Sequence, residues 1–489
     1  MRDDKSIIHQ VSNVVDDGYK INVYTSARFK VFSQHLTYIF RLESLNLSIK
    51  SLIWCLSSII FLLSFVFIVP FAAHAAVKEY TLKNGLKVLI IEDHKAPLAT
   101  FQIWYRVGSK DEPRGKTGIS HLLEHMMFKG TPKYGSKVFS NIIQRNGGTD
   151  NAHTTKDYTM YHQTLSSDRI GLSIELESDR MRNLLLDPVE VINERNVVME
   201  ERRMRYEDDP QSSLYEEVIS TAFKAHPYQW PVIGWMSDIA SIERKELYRY
   251  YRSYYSPDNA FIVISGDVKA EDMLSKVRKS FGHIRLSKRS VIKNRTEEPQ
   301  QRGEKRVYLK KEAELPYILM AYHVPSFPHG DSFALDVLST ILSAGKSSRL
   351  YKGIVYEKRL ALNAFADYIG FHRDPFLFVF GSTAAPKKNI EDLEKAIHDE
   401  IEKIKKEMPS EMEIQKAKNQ IEASFVFAQD STYSRAFYAG MFEMLGNWRL
   451  MDKYLEGIRK VKPDDVQAVA KKYLIDDNKT VGILIPVKR

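Results

Sequence analysis

The chain has a single cysteine, Cys55, in 489 residues. One thiol cannot staple a small domain or supply the paired thiolates of a zinc-finger site, so disulfide scaffolds and Cys-based metal centres are excluded. Any metal must rest on histidine and carboxylate. A strong charge bias is also missing: 71 basic against 62 acidic residues leave a net +9. That excess is spread along the chain and no nucleic-acid-binding module accompanies it, so it reads as a solvated basic surface, with no nucleic-acid partner. Hydrophobic residues make up 44%, enough for large cores in a chain with room for two or three domains.

One apolar run stands out. Lys50 precedes an apolar stretch over 51–73, and Ala73-His74-Ala75 closes it. A basic residue, an apolar core and an A-x-A site follow one another in the order of a secretory signal. The expectation is export to the periplasm with cleavage after Ala75. The run is also long enough to span a bilayer, so the alternative is a retained membrane anchor with the remainder outside the cytoplasm. Cys55 lies early in the run, which argues against a lipoprotein signal. Residues 1–49 are more than a normal n-region contains.

His121-Leu122-Leu123-Glu124-His125 reads H-x-x-E-H, the inverted form of a zinc-protease signature. In a helix, His121 and His125 stand one turn apart on one face and can reach one ion. Glu124 beside them can take a proton from a water at that ion without being a ligand. Ile119, Leu122, Leu123 and Met126 are apolar at helical spacing. An ordinary amphipathic helix can carry the same residues, and two histidines make half a site, so a third ligand is needed. In the stretch from Val191 to Arg203, Val191, Glu194, Val198 and Glu201 form one helical stripe. A carboxylate in an apolar stripe is costly to bury unless paired or bound to metal. Glu201 is the candidate third ligand, Glu194 a candidate support behind a ligand, and Glu200 the alternative ligand. A solvated helix with Glu/Arg pairs would account for the same residues.

With Glu201 standing 76 residues after His125, the set resembles the pitrilysin/insulinase family of zinc peptidases. Asn84-Gly85-Leu86-Lys87-Val88, Gly118-Ile119-Ser120, Gly147-Gly148-Thr149-Asp150-Asn151-Ala152 and Thr159-Met160-Tyr161 are similar to segments of that family. The likeness runs from about Val77 to the end of the chain and is closest to the mitochondrial-processing-peptidase-like branch. It implies a zinc-dependent endopeptidase with one Zn²⁺ per chain, held by His121, His125 and Glu201, with Glu124 as the catalytic base. It also implies an extended or unfolded peptide substrate, which Asn151 and Ala152 would bind on an edge strand.

Two similar halves are visible. Residues 242–259 and 461–478 are equally long and share Tyr254/Tyr473, Asp258/Asp477 and Asn259/Asn478; each is an amphipathic helix pattern leading into an apolar strand. Tyr105-Arg106-Val107-Gly108-Ser109 resembles Tyr322-His323-Val324-Pro325-Ser326. The expected fold is α+β: two homologous α/β-sandwich halves with antiparallel-rich sheets, joined by a linker and facing a central cavity. The expected boundaries are an N-terminal extension with signal or anchor over 1–75, a zinc-binding half over 76–285, an exposed linker over 286–306 and an inactive half over 307–489. Asp336, Ser339 and Thr340 stand where the first half has His121, Glu124 and His125.

The chain departs from single-chain members of the family in the second half. Tyr356 stands where an Arg is expected, and Leu362 or Asn363 where a Tyr is expected; Arg359 is out of register and Arg349 matches a structural position. Losing one oxyanion donor costs roughly 10²–10³ in rate. A second family chain supplying that Arg/Tyr pair is therefore expected as a partner. The competing readings are a non-catalytic binding or assembly subunit and a zinc hydrolase acting on a non-peptide bond. His153 and His162 read as structural or solvent-facing, and Asp208-Asp209-Pro210 as a turn.

Overall fold

Strands Lys87–Glu92 (β2) and Ala260–Gly266 (β6) are almost unbroken apolar runs, and β6 is buried along its whole length. Such strands belong at the centre of a sheet covered on both faces. The structure, a computed structural model, describes residues 76–287 and 296–487. The expected signal or anchor before Ala76 and the middle of the expected linker lie outside the described residues. Among the described residues no helix is long and apolar enough to cross a membrane.

The first sheet comprises β1 (Val77–Thr81), β2, β3 (Leu98–Tyr105), β4 (Thr149–Thr154), β5 (Thr159–Ser166) and β6, in the order β1-β2-β6-β3-β5-β4. The second comprises β7 (Lys305–Glu312), β8 (Tyr317–Val324), β9 (Ala361–Tyr368), β10 (Phe376–Ala384) and β11 (Lys479–Val487), in the order β7-β11-β8-β10-β9. β2 runs parallel to β6, and β7 parallel to β11; the other described pairs are antiparallel. Strand for strand, the second sheet repeats the first without β1. The helices of the first half are α1 (Ile119–Met126), α2 (Val138–Arg145), α3 (Gly171–Asn183), α4 (Pro188–Arg202), α5 (Pro210–Ala222), α6 (Met236–Ser241), α7 (Arg244–Tyr254) and α8 (Ala270–Phe281). Those of the second are α9 (Ser332–Ser343), α10 (Ile390–Lys406), α11 (Glu411–Phe427), α12 (Thr432–Met444), α13 (Leu450–Lys460) and α14 (Pro463–Tyr473).

The repeated Tyr and Asn of the two halves have one job. Asn259 Nδ2 donates to the Tyr254 carbonyl at 2.9 Å, closing the end of α7 before β6. Asn478 Nδ2 donates to the Tyr473 carbonyl at 2.9 Å, closing α14 before β11. Each asparagine satisfies a carbonyl that a helix end leaves open.

Each sheet packs its own helices on one face and borrows a helix from the other half on the opposite face. Leu214, Val218 and Ala222 of α5 lie against Leu319, Ala321, Val379 and Leu484 of the second sheet. In return α12 lies on β3 and β6 of the first sheet, where Trp104 meets Phe437 with ring centroids 5.5 Å apart. Glycines permit both approaches: a Cβ on Gly440 would sit 2.4 Å from the Trp104 ring, and one on Gly482 2.2 Å from Val218. Charge follows the same route, since the buried Glu443 of α12 pairs with Arg106 and Lys87 of the first half, each at 2.9 Å. The linker also holds on: Glu298 accepts the backbone N–H groups of Lys224, Ala225 and His226 at 2.7–2.9 Å. The second sheet begins at Lys305, inside the stretch expected as linker.

Candidate metal centre

α1 carries the H-x-x-E-H residues and starts at Gly118. Its first backbone N–H groups have no partner within the helix. Glu112 supplies one: its carboxylate accepts from Gly118 N at 2.8 Å and Ser120 N at 2.9 Å. Burial pushes the Glu112 carboxyl up to about 8, against those backbone donors, which favour its charged form. The buried face of α1, Ile119, Leu122, Leu123 and Met126, joins the first-half core. His121 and His125 are left together, with ring centroids 4.7 Å apart.

α4 starts with Asp187 accepting from Val189 N and Glu190 N, and with Pro188 in its first turn. It buries Val191, Glu194, Val198 and Glu201, the expected stripe. α4 packs against α1, and the stripe meets the histidines. Glu201 Oε2 lies 3.8 Å from His121 Nε2 and 3.4 Å from His125 Nε2. Ligand atoms of all three residues lie within 4.8 Å of one another. Glu194 Oε2 accepts from His125 Nδ1 at 3.1 Å, which leaves His125 Nε2 directed to the shared point. Lys129 pairs with the other Glu194 oxygen. Glu200 points elsewhere, pairing with Arg203 at a side-chain exposure of 64%, so the alternative ligand is not at this centre.

The electrostatics suit a cation. Burial opposes charge on His125, but the hydrogen bonds to Glu194 and Glu201 prevail and push it up to about 10. Burial would raise Glu201, but His125 and His121 hold it down at about 2. Burial keeps His121 neutral, down at about 4. Two imidazoles and an ionised carboxylate, converging with their free ends, form the donor set that Zn²⁺ accepts. Glu124 sits beside them, 8% exposed. Burial pushes it up to about 7, and the Thr154 hydroxyl donates to its Oε2 at 2.5 Å.

Thr154 ends β4, an edge strand of the first sheet. Asn151 and Ala152 lie on this strand, and the Ala152 N–H is held by the Asn151 side-chain oxygen at 2.9 Å. The strand therefore runs up to the general-base candidate. His153 and His162 turn away from the centre: His153 packs between Trp104 and Phe437, and His162 against Tyr433. Asp209 caps α5 by accepting from Ser212 N at 2.7 Å, a turn residue.

Comparison with known proteins follows this geometry. Residues 87–234 match the family model described as Insulinase (Peptidase family M16), and 241–421 match the Peptidase M16 inactive domain. The chain is 33% identical to the zinc protease PqqE of Helicobacter pylori over 84% of its own length and 93% of that protein.

The chain belongs to the insulinase family of peptidases.

It is also 26% identical, over 83% of its length and 78% of the relative's, to a probable mitochondrial-processing peptidase subunit beta of Arabidopsis thaliana. The crystal structure of a protease from Helicobacter pylori superposes with a TM-score of 0.81 at 33% identity, covering 84% of this chain and all of that one. The insulinase match contains the histidines and Glu201; the inactive-domain match contains Asp336, Ser339 and Thr340. In that second half, Asp336 accepts from the Tyr454 hydroxyl and Ser339 donates to the Ala366 carbonyl at 3.1 Å. Arg349 is a two-point partner of Glu413, at 2.9 and 3.1 Å. Tyr356 is 73% exposed, and Leu362 and Asn363 lie on the edge strand β9. Sequence reasoning missed Glu112, Thr154 and Lys129: Thr154 and Lys129 meet partners far along the chain, and Glu112, though close in sequence to Gly118 and Ser120, follows no periodicity.

Proposed function

We propose that this protein is a zinc-dependent endopeptidase that cleaves extended or unfolded segments of peptides and proteins. In this reading His121, His125 and Glu201 hold one Zn²⁺, Glu194 fixes His125, Glu124 is the general base, and Asn151 and Ala152 engage substrate. The observation that carries it is the convergence of His121 Nε2, His125 Nε2 and Glu201 Oε2, with Glu124 buried beside them. When bound, the ion supplies a Lewis acid for the scissile carbonyl and acidifies a water. Beside such a centre Glu124 would act as the proton carrier, accepting a proton from the attacking water and passing it to the leaving amine. A carboxyl raised to about 7 by burial can do both near neutral pH. The free edge of β4 can add a substrate strand through main-chain hydrogen bonds, which demands an unfolded substrate. Membership of a peptidase family supports peptides over other substrates.

Full activity in this reading needs a second family chain. Tyr356, Leu362 and Asn363 occupy the second-half positions where a carbonyl-binding Arg and Tyr are expected, and a partner carrying that pair completes the site. The apolar run over 51–73 with Ala73-His74-Ala75 supports export to the periplasm, with a retained anchor as the other outcome. The same second-half positions favour a second reading, a non-catalytic binding or assembly subunit that keeps the fold.

The deciding experiment is hydrolysis of a quenched, unstructured peptide library by the full chain, with Glu124→Gln and a chelator as controls. Cleavage lost in both establishes the metallopeptidase. Absence of cleavage from zinc-loaded protein, with or without a homologous partner chain, supports the binding-subunit reading.

A further inference from the structure

Glu201 uses its two oxygens differently. Oε2 faces the histidines, at 3.8 Å from His121 Nε2 and 3.4 Å from His125 Nε2. Oε1 lies 3.1 Å from Arg205 Nη2. Arg205 comes from a π-helical turn, Arg203–Glu207, that continues α4 beyond Arg202. A π turn is an uncommon element that recurs at functional sites. Here it places a cation four residues after the candidate ligand. The preceding residue is pinned independently: Arg202 makes two hydrogen bonds to Glu216, at 2.9 and 2.8 Å, and one to the Gly234 carbonyl at 2.9 Å. The start of the π turn is thus tied to α5 and to the loop before α6.

The arrangement matches the other acidic group of α4. Glu194 turns one oxygen to His125 and the other to Lys129. Both carboxylates that support the centre therefore have a basic side chain at the oxygen turned away from the histidines. Rotating the Glu201 carboxylate so that both oxygens faced the histidines would break its pair with Arg205 at a half-buried position, where charge pairing is less screened than at the surface.

We infer that Arg205 is a positioning residue that holds Glu201 by Oε1, so that Oε2 alone is presented to the metal. This rests on the zinc reading above and deepens it. A carboxylate engaged through one oxygen uses one coordination position, and a catalytic centre with three protein ligands keeps its fourth for water or substrate. Arg205 meets Oε1 as an ion pair, with no hydrogen bond to that oxygen among the described residues, so the hold is one of charge.

The test measures zinc affinity of the full chain by competition with a chromophoric chelator, together with the visible spectrum of the Co²⁺-substituted protein and the melting temperature without metal. Variants are Arg205→Gln, Arg205→Met and Arg205→Lys. Arg205→Gln and Arg205→Met are expected to bind zinc about 10–100-fold more weakly, the range for loss of a group that orients a ligand. Their Co²⁺ spectra are expected to change while the metal-free melting temperature stays at the wild-type value. Arg205→Lys is expected to recover part of the affinity. Wild-type affinity and spectrum in Arg205→Gln and Arg205→Met would overturn the inference and leave the zinc reading standing. So would a loss of affinity that only follows a lowered metal-free melting temperature in every variant. A wild-type chain that does not bind zinc would overturn both.

Discussion

The hydroxyl of Thr154 donates to Glu124 Oε2 at 2.5 Å. It joins the last residue of the edge strand β4 to the carboxylate beside the two histidines, 30 residues apart in sequence. The strand proposed to receive substrate and the group proposed to move the proton are thus one mechanical unit. Substrate added along β4 would lie in register with Glu124.

Glu124→Gln should lower peptide hydrolysis by about 10²–10⁴-fold, the usual contribution of a positioned general base, with zinc affinity retained. Thr154→Val should lower kcat about 5–10-fold, as expected for loss of one hydrogen bond of ~1 kcal/mol, with little change in KM. Steady-state kinetics on one quenched peptide separates the two. An equal rise in KM would mean that Thr154 shapes the strand and not the base.

Removing metal should destabilise the chain. Without an ion, Glu201 and the two imidazoles remain packed around one point. A ligand at about a thousand times its Kd stabilises by ~4 kcal/mol. Chelation should therefore lower the melting temperature by several degrees, and Zn²⁺ should restore it. A melting curve indifferent to chelator and zinc would count against a metal at this centre.

Glu443→Gln should loosen the junction between the halves. Its carboxylate is buried on α12 and faces Arg106 and Lys87 of the first half at 2.9 Å each. Breaking a buried ion pair from one side costs about 3–5 kcal/mol. Thermal unfolding and hydrogen exchange along β3 and β6 should register the loss. A neutral outcome would show that water already reaches these cations.

Acid should destabilise the same junction from another direction. Burial holds His153 down at about 4 and His162 down at about 3. Both lie on the first sheet where α12 covers it, beside Phe437 and Tyr433. In the unfolded chain these imidazoles take up protons near pH ~6.5, while the folded chain refuses them. Their contribution is complete above that pH and is lost as pH falls toward their folded values, at up to ~1.4 kcal/mol per pH unit for each. The double variant His153→Phe, His162→Phe should flatten the fall in melting temperature between pH 6.5 and 4.5. An unchanged slope would place the acid sensitivity elsewhere.

Much of the centre could be read from the amino acids because its parts are local and periodic. His121 and His125 are one turn apart, and Glu194 and Glu201 share a stripe with Val191 and Val198. The duplication was legible for a similar reason: Asn259 and Asn478 each close a helix that feeds a central strand, a task few side chains perform. The partners of those groups were not legible. Thr154 on Glu124 joins residues far apart in the chain, and Glu112 under the start of α1 follows no periodicity; Arg205 shares a helical spacing with Glu201, but spacing does not say which oxygen it meets.

Helical period and strand alternation therefore settled which residues share a face, since side-chain direction follows backbone geometry one turn or one pleat at a time. They also revealed two halves of one design. Which oxygen of Glu201 meets the histidines, and which half lends its helix to which sheet, came from packing. α5 lies on the second sheet and α12 on the first. Shape, through Gly440 under Trp104 and Gly482 under Val218, and charge, through Glu443 against Arg106 and Lys87, distinguish this arrangement, and both lie between residues far apart in the chain.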